Sequence, residues 1–245
     1  MTDVPSPPVE RGRRTPARTV GVVTALLLLG AYGRSAGWHP LDPFASVAAR
    51  QPLANVVWDG DSHSAPGFGT TTPDVTVDGL QGEVLLRNQA VGGSTVDMVA
   101  QRAPAFDGKL LTVPGMQNVA VVWVAANDLG EGDDPAARHD ALRTYYEERR
   151  ARGWKVVALS VLPRSYPLDV PGFEQRRQRF NDLMRAHWQE YADVFVDLGA
   201  HPQLGRPGAQ DDPALYGQDR THMLDAGREI VAAEVRTGLA TLGLR

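Results

Sequence analysis

The chain has 245 residues, 42% hydrophobic and 22% charged, which suits one globular domain with a short appendage. Its net charge is -4, and a mildly acidic body without a basic stripe argues against nucleic acid as a partner. The absence of cysteine excludes disulfides, thiolate zinc sites, a cysteine nucleophile and a lipobox-type acylated cysteine.

Residues 1–18 are proline-rich and carry Arg11, Arg13, Arg14 and Arg18 against Asp3 and Glu10, a net of +2 that leaves -6 on the remainder. Val20 to Tyr32 is uncharged and apolar. This is the order of an n-region and an h-region, so residues 1–38 are expected to be a signal peptide or membrane anchor. The apolar run is shorter than the roughly 20 residues that span a bilayer. Ala31-Tyr32-Gly33 offers a small-residue cleavage site. If the span continues past Arg34 to Trp38, residues 19–38 instead remain as an anchor with the arginines in the cytoplasm. The alternative, a buried amphipathic helix of the fold, has less support. Either of the first two outcomes exports the rest of the chain. Residues 39–52 read as a linker and 53–245 as the working domain.

From there short apolar runs alternate with longer amphipathic stretches. The predicted strands are Leu53–Trp58, Glu83–Asn88, Asn118–Val124, Lys155–Val161 and Val194–Asp197. All but the second are Val/Leu/Ala-rich with little alternation, as in strands covered on both faces. The predicted helices are Thr95–Arg102, Pro135–Arg152, Glu174–Tyr191 and Ala226–Leu242. Pro135 suits a first helical turn and Gly153 a helix end. In the third helix Phe180, Leu183, Met184, Trp188 and Tyr191 form one stripe, with Arg176, Arg177 and Arg179 expected elsewhere. Such alternation predicts a three-layer α/β/α sandwich with a five-stranded parallel sheet, whose ligands bind beyond the carboxyl ends of the strands.

Those ends carry the chemistry. After the first strand comes Gly60-Asp61-Ser62-His63, where a tight turn exposes a serine as a candidate nucleophile; the alternative is a turn serine. After the second comes Asn88 to Thr95, in which Gly93 lets backbone approach a ligand and offers its N–H, unless Gly92-Gly93 is merely a flexible turn. After the third comes Asn127-Asp128, whose amide is a candidate oxyanion donor or an Asx turn. A further donor is the N–H of Ser62. Before the last helix stand Asp219 and His222, spaced so that a carboxylate can fix the tautomer of a histidine base. Otherwise Asp219 caps that helix and His222 is a surface residue.

Together these segments resemble the SGNH hydrolases, also called GDSL esterases and lipases. The blocks appear in order as Ser62, Gly93, Asn127 and His222 over residues 53–242. Asn88 to Thr95 looks like the family's Asn-x-x-x-x-Gly-x-Thr pattern, and Asp219-x-x-His222 like its Asp-x-x-His block. The resemblance implies a flavodoxin-like sheet, a Ser62-His222-Asp219 triad, an oxyanion hole from Ser62, Gly93 and Asn127, and ester hydrolysis with no metal or cofactor. Three residues depart from the pattern: His63 after the serine, Ala125 where a glycine is usual, and Asp59 where an apolar residue is common. His63 is expected to line the pocket or face solvent, since neighbours on extended backbone point apart. His39 falls in the linker, His139 and His187 are expected on exposed helix faces, and no histidine pair, His201 included, has metal-site spacing.

The expected substrates are short-chain acyl or acetyl esters, including those on O-acetylated glycans. Lipid esters, acyl transfer to a sugar, and a non-catalytic carbohydrate-binding module on the same fold are the alternatives. A structural anchor protein built on residues 19–38 has little support, because every loop at the site end is polar.

Overall fold

The structure, a computed structural model, describes residues 54–67 and 70–245. The expected signal or anchor segment, the linker and Leu53 lie outside the described residues. Five strands, β1 (Ala54–Gly60), β2 (Val84–Asn88), β3 (Gln117–Trp123), β4 (Lys155–Leu159) and β5 (Val194–Val196), form one sheet. Every pairing is parallel and the order is β2-β1-β3-β4-β5. The expected five-stranded parallel sheet is present. β1 runs two residues past Trp58, because Asp59 and Gly60 stay in register with Val122 and Trp123 of β3. Ser62 therefore stands just beyond the strand end.

The helices are α1 (Thr72–Asp78), α2 (Val96–Gln101), α3 (Ala103–Asp107), α4 (Ala126–Glu131), α5 (Pro135–Ala151), α6 (Phe173–Tyr191) and α7 (Asp225–Thr241). Successive strand residues point to opposite faces. Val57, Ala120 and Val122 join Val99, Phe106, Leu129, Leu142 and Phe180 in one core beneath α2 to α6. Val56, Trp58, Val121 and Trp123 join Val231, Val235 and Leu239 of α7 in the other. α1 is tied to α7 on that second face by Arg236, whose guanidinium donates to the Val75 carbonyl at 2.8 Å. Each large apolar side chain so buried contributes roughly 1.5–3 kcal/mol.

The four expected helices are present, and three short ones add to them. α1 had a signal in the sequence: Thr71 and Asp74 cap it reciprocally, with Pro73 in the first turn. Two expectations about helix faces are corrected. His139 is buried rather than exposed, with Nε2 3.2 Å from the Tyr191 hydroxyl. Arg177 is buried too, paired with Glu174 and donating to the carbonyls of Val161 and Gly205. Each lies on the inward stripe of its own helix, Arg177 between Phe173 and Phe180 and His139 one turn before Leu142.

The chain leaves β1 for β2 on one side and returns to β3 on the other. This reversal opens a crevice at the carboxyl ends of β1 and β3, the usual ligand position in such sheets. Among the described residues no helix is long and apolar enough to cross a membrane.

Candidate active site

The turn carrying Ser62 is fixed by its neighbours. At Gly60 a Cβ would overlap the Trp123 carbonyl oxygen, so only glycine fits between β1 and β3. Asp61 donates its N–H to that same carbonyl at 3.2 Å, and its own carbonyl accepts from Ser64 and Ala65. The Asp61 carboxylate takes the His63 N–H at 3.0 Å. Burial is the main force on this acid and raises its pKa to about 6, against the pull of that bond and of Arg164. Ser64 braces the turn from behind. Its hydroxyl accepts from Trp58 at 2.9 Å and its carbonyl from Asn88 at 2.7 Å.

The second loop is pinned to the first by the Val91 N–H, which donates to the Gly60 carbonyl at 3.1 Å. A Cβ placed on Gly92 would lie 3.8 Å from that of Ser62, so the loop runs close past the serine. Gly93 follows at φ +77°, in the left-handed region. Among the described residues no acceptor takes the backbone N–H of Ser62 or of Gly93. Asp59, the unexpected acid before Gly60, explains part of this arrangement. It is buried and paired at 2.6 Å with Arg102, which also donates to the Ser94 hydroxyl at 3.0 Å. The pair ties the end of β1 to the loop holding Gly93. Burial dominates at Asp59 and raises its pKa despite Arg102.

Asn127, in the first turn of α4, donates through Nδ2 to the Ser94 carbonyl at 2.9 Å. Its Oδ1 accepts from Arg164 at 3.0 Å. A primary amide has two N–H bonds, so one remains for a group in the cavity that Asn127 lines. Asp128 is structural: its carboxylate takes the Val96 N–H at the start of α2, and burial raises its pKa to about 6. Ala125 precedes α4 at φ 98° and is fully buried. A left-handed alanine carries strain of roughly 1–2 kcal/mol, which a glycine at this position would avoid.

Across the crevice, His222 Nδ1 is 2.6 Å from Asp219 Oδ2, while Asp219 Oδ1 accepts the backbone N–H groups of Thr221 and His222 at 3.0 Å. Partial burial opposes ionisation of Asp219, but these bonds prevail and draw its pKa below the ordinary carboxylate value. The loop is closed by an antiparallel bridge between Tyr216 and Met223 and by the Gly217 N–H donating to the His222 carbonyl. The Ser165 N–H also donates to the Arg220 carbonyl, linking this loop to the one after β4.

Ser62, Gly93, Asn127 and His222 line one cavity of about 400 Å³, together with Glu131, Arg164, Tyr166, Leu168, Asp169 and Thr221. That volume falls in the range of small-molecule sites. His63 is buried rather than at the surface, stacked on Trp123 with ring centroids 4.9 Å apart. It shares a small adjoining recess with Ser62 and His222, and its ring lies 6.0 Å from that of His222. Burial chiefly, with the charges of His222 and Arg164, lowers its pKa to about 3. Among the described residues no group of His, Asp or Glu is placed to hold a metal ion. Sequence reading missed Arg102 and Arg164, whose partners Asp59 and Asn127 lie 43 and 37 residues away, and with them Asp169, which pairs with Arg164.

A hydroxyl on a tight turn, an imidazole–carboxylate pair and convergent N–H donors are the parts that acyl transfer requires. The sequence profile described as the GDSL-like Lipase/Acylhydrolase family matches residues 59–230, well over half of the chain. The chain belongs to that family. Its class of reaction is carboxylic ester hydrolysis. No curated protein matches it. Among solved structures it is similar to a GDSL-like lipase from Bacteroides thetaiotaomicron (TM-score 0.62, 19% identity, 81% of this chain and 96% of that one). It is also similar to TesA (TM-score 0.57, 22% identity, 77% and 99%). A third is an acetyl-xylooligosaccharide esterase from Geobacillus (TM-score 0.60, 15% identity, 77% and 96%). At these identities the likeness is one of fold.

Proposed function

We propose that this esterase is exported and works through a Ser62-His222-Asp219 triad on short-chain acyl esters, acetyl groups on glycans being the leading candidates. What carries the reading is the convergence of four segments on one cavity at the switch point of the sheet. Ser62 Oγ attacks the ester carbonyl and passes its proton to the His222 imidazole, which Asp219 holds in one tautomer. The oxyanion rests on the N–H groups of Ser62 and Gly93 and on the Asn127 amide. Collapse returns the proton from His222 to the leaving alkoxide. Water then attacks the acyl-enzyme by the same route, releasing the acid and restoring Ser62.

Polar lining by Glu131, Arg164, Asp169 and Thr221 favours a small, hydrophilic ester, and an acetyl-xylooligosaccharide esterase shares the fold. A second reading, a lipid ester, draws on Leu168, which is 78% exposed at the cavity rim beside the half-exposed Tyr166. Export is supported by the basic and then apolar residues before Tyr32, and membrane association would require that segment to stay uncleaved.

Ser62→Ala should lower turnover of p-nitrophenyl acetate by at least about a thousandfold while the melting temperature holds. Hydrolysis at the parental rate would remove the nucleophile from this reading. On a series from acetyl to palmitoyl esters, acetyl should be the best substrate; a maximum at long chains would select the lipid reading. Acyl transfer to an added sugar would mark a transferase.

A further inference from the structure

We infer that Arg164 is a positioning residue for the oxyanion donor, orienting the Asn127 amide and strengthening its N–H through a charged hydrogen bond to Oδ1. The inference rests on Asn127 being an oxyanion donor, as proposed above. An amide flipped end for end would turn its oxygen toward a developing negative charge and repel it. Arg164 Nη1 at 3.0 Å from Oδ1, with the Ser94 carbonyl at 2.9 Å from Nδ2, permits one orientation only. A guanidinium on the amide oxygen also polarises the amide, so that its N–H donates more strongly.

The guanidinium is itself fixed from several sides. Asp169 grips it bidentately, through Nε at 3.0 Å and Nη2 at 2.6 Å. It lies 5.1 Å from the centre of the Phe173 ring and 5.5 Å from that of Tyr166. At Gly130 a Cβ would overlap both Arg164 Nη2 and Asp169 Oδ1, so the backbone of α4 leaves room for this pair. The pair is buried, and burying it serves the position of Asn127 better than it serves stability. Its polar atoms are accounted for by Asn127 and Asp169.

The test is a double-mutant cycle on p-nitrophenyl acetate. Asn127→Ala should lower kcat by about a hundredfold to a thousandfold. Arg164→Met should lower kcat by about thirtyfold with KM changed less than about twofold, and Arg164→Lys should recover part of the loss. In the double variant the arginine should no longer matter, leaving kcat within about twofold of Asn127→Ala alone. If Arg164→Met fails to fold because Asp169 is left unpaired, Arg164→Met with Asp169→Asn takes its place in the cycle. Losses that multiply in the double variant, or a raised KM at unchanged kcat, would overturn the inference and leave the triad standing. Asn127→Ala at the parental rate would instead overturn the oxyanion reading beneath it.

Discussion

On the Ser62–Gly93–Asn127 side of the cavity, the charged groups are interlocked, with the side chains of Asp59, Arg164 and Asp169 buried and that of Arg102 partly so. Asp59 holds Arg102, Arg102 holds Ser94, and Asp169 holds Arg164, which holds Asn127. On the other side, Asp219 and His222 are 46% and 34% exposed and are positioned by a short bridged loop and by backbone N–H groups. The proposed triad and oxyanion hole would account for the contrast. Oxyanion donors have to be preorganised to fractions of an ångström, whereas an imidazole held by one carboxylate needs a tautomer and a reach. Buried pairs are a weak source of stability but a strong constraint on geometry, and breaking one is costly.

Weakening each side in turn should have different consequences. Asp219→Asn should lower kcat by about a thousandfold to ten-thousandfold while shifting the melting temperature little, because the group is half-exposed. Loss of fold would show that the base loop is structural after all. Arg102→Met should do the reverse, costing about 2–3 kcal/mol by leaving Asp59 buried without its cation, measured by urea unfolding. Its activity should fall by only about tenfold through a looser Gly93 loop. A stable but inactive Arg102→Met would erase the distinction.

His63 gives a pH-dependent version of the same test. Its folded pKa, about 3, lies below the ordinary histidine value of 6.5. The stability it confers is therefore complete above pH 6.5 and lost as pH falls toward 3, where the unfolded chain takes the proton first. Asp61, raised to about 6, acts in the opposite sense, losing its contribution as pH rises through that value. Comparing the protein with His63→Gln cancels Asp61, so the stability advantage of the histidine should shrink between pH 7 and pH 4. A constant difference would mean that the ring is solvated. The smallest effect expected is that of Ala125→Gly. Relief of the left-handed strain and loss of a buried methyl nearly offset each other, so stability should change by less than about 1 kcal/mol.

The sheet and the site rim were legible in the sequence because each rests on local chemistry. Buried parallel strands read as apolar runs, and Ser62, Gly93, Asn127 and His222 stand just after strand ends or before the last helix. Asp59 registered only as a departure, because its partner Arg102 is 43 residues away. Arg164 stands 37 residues from Asn127, and no local motif marks it. Arg177 and His139 could have been placed by extending the apolar stripes to include them, but charge and polarity argued for the outside. Ala125 showed as a missing glycine, and its φ of 98° supplies the physical reason a glycine belongs there.

The most direct measurement is covalent capture. Incubation with a p-nitrophenyl alkylphosphonate, digestion and mass spectrometry should place one adduct per chain on the peptide carrying Ser62, and His222→Ala should slow its formation severely. An adduct on another side chain, or none at Ser62 while the protein still hydrolyses esters, would contradict the triad.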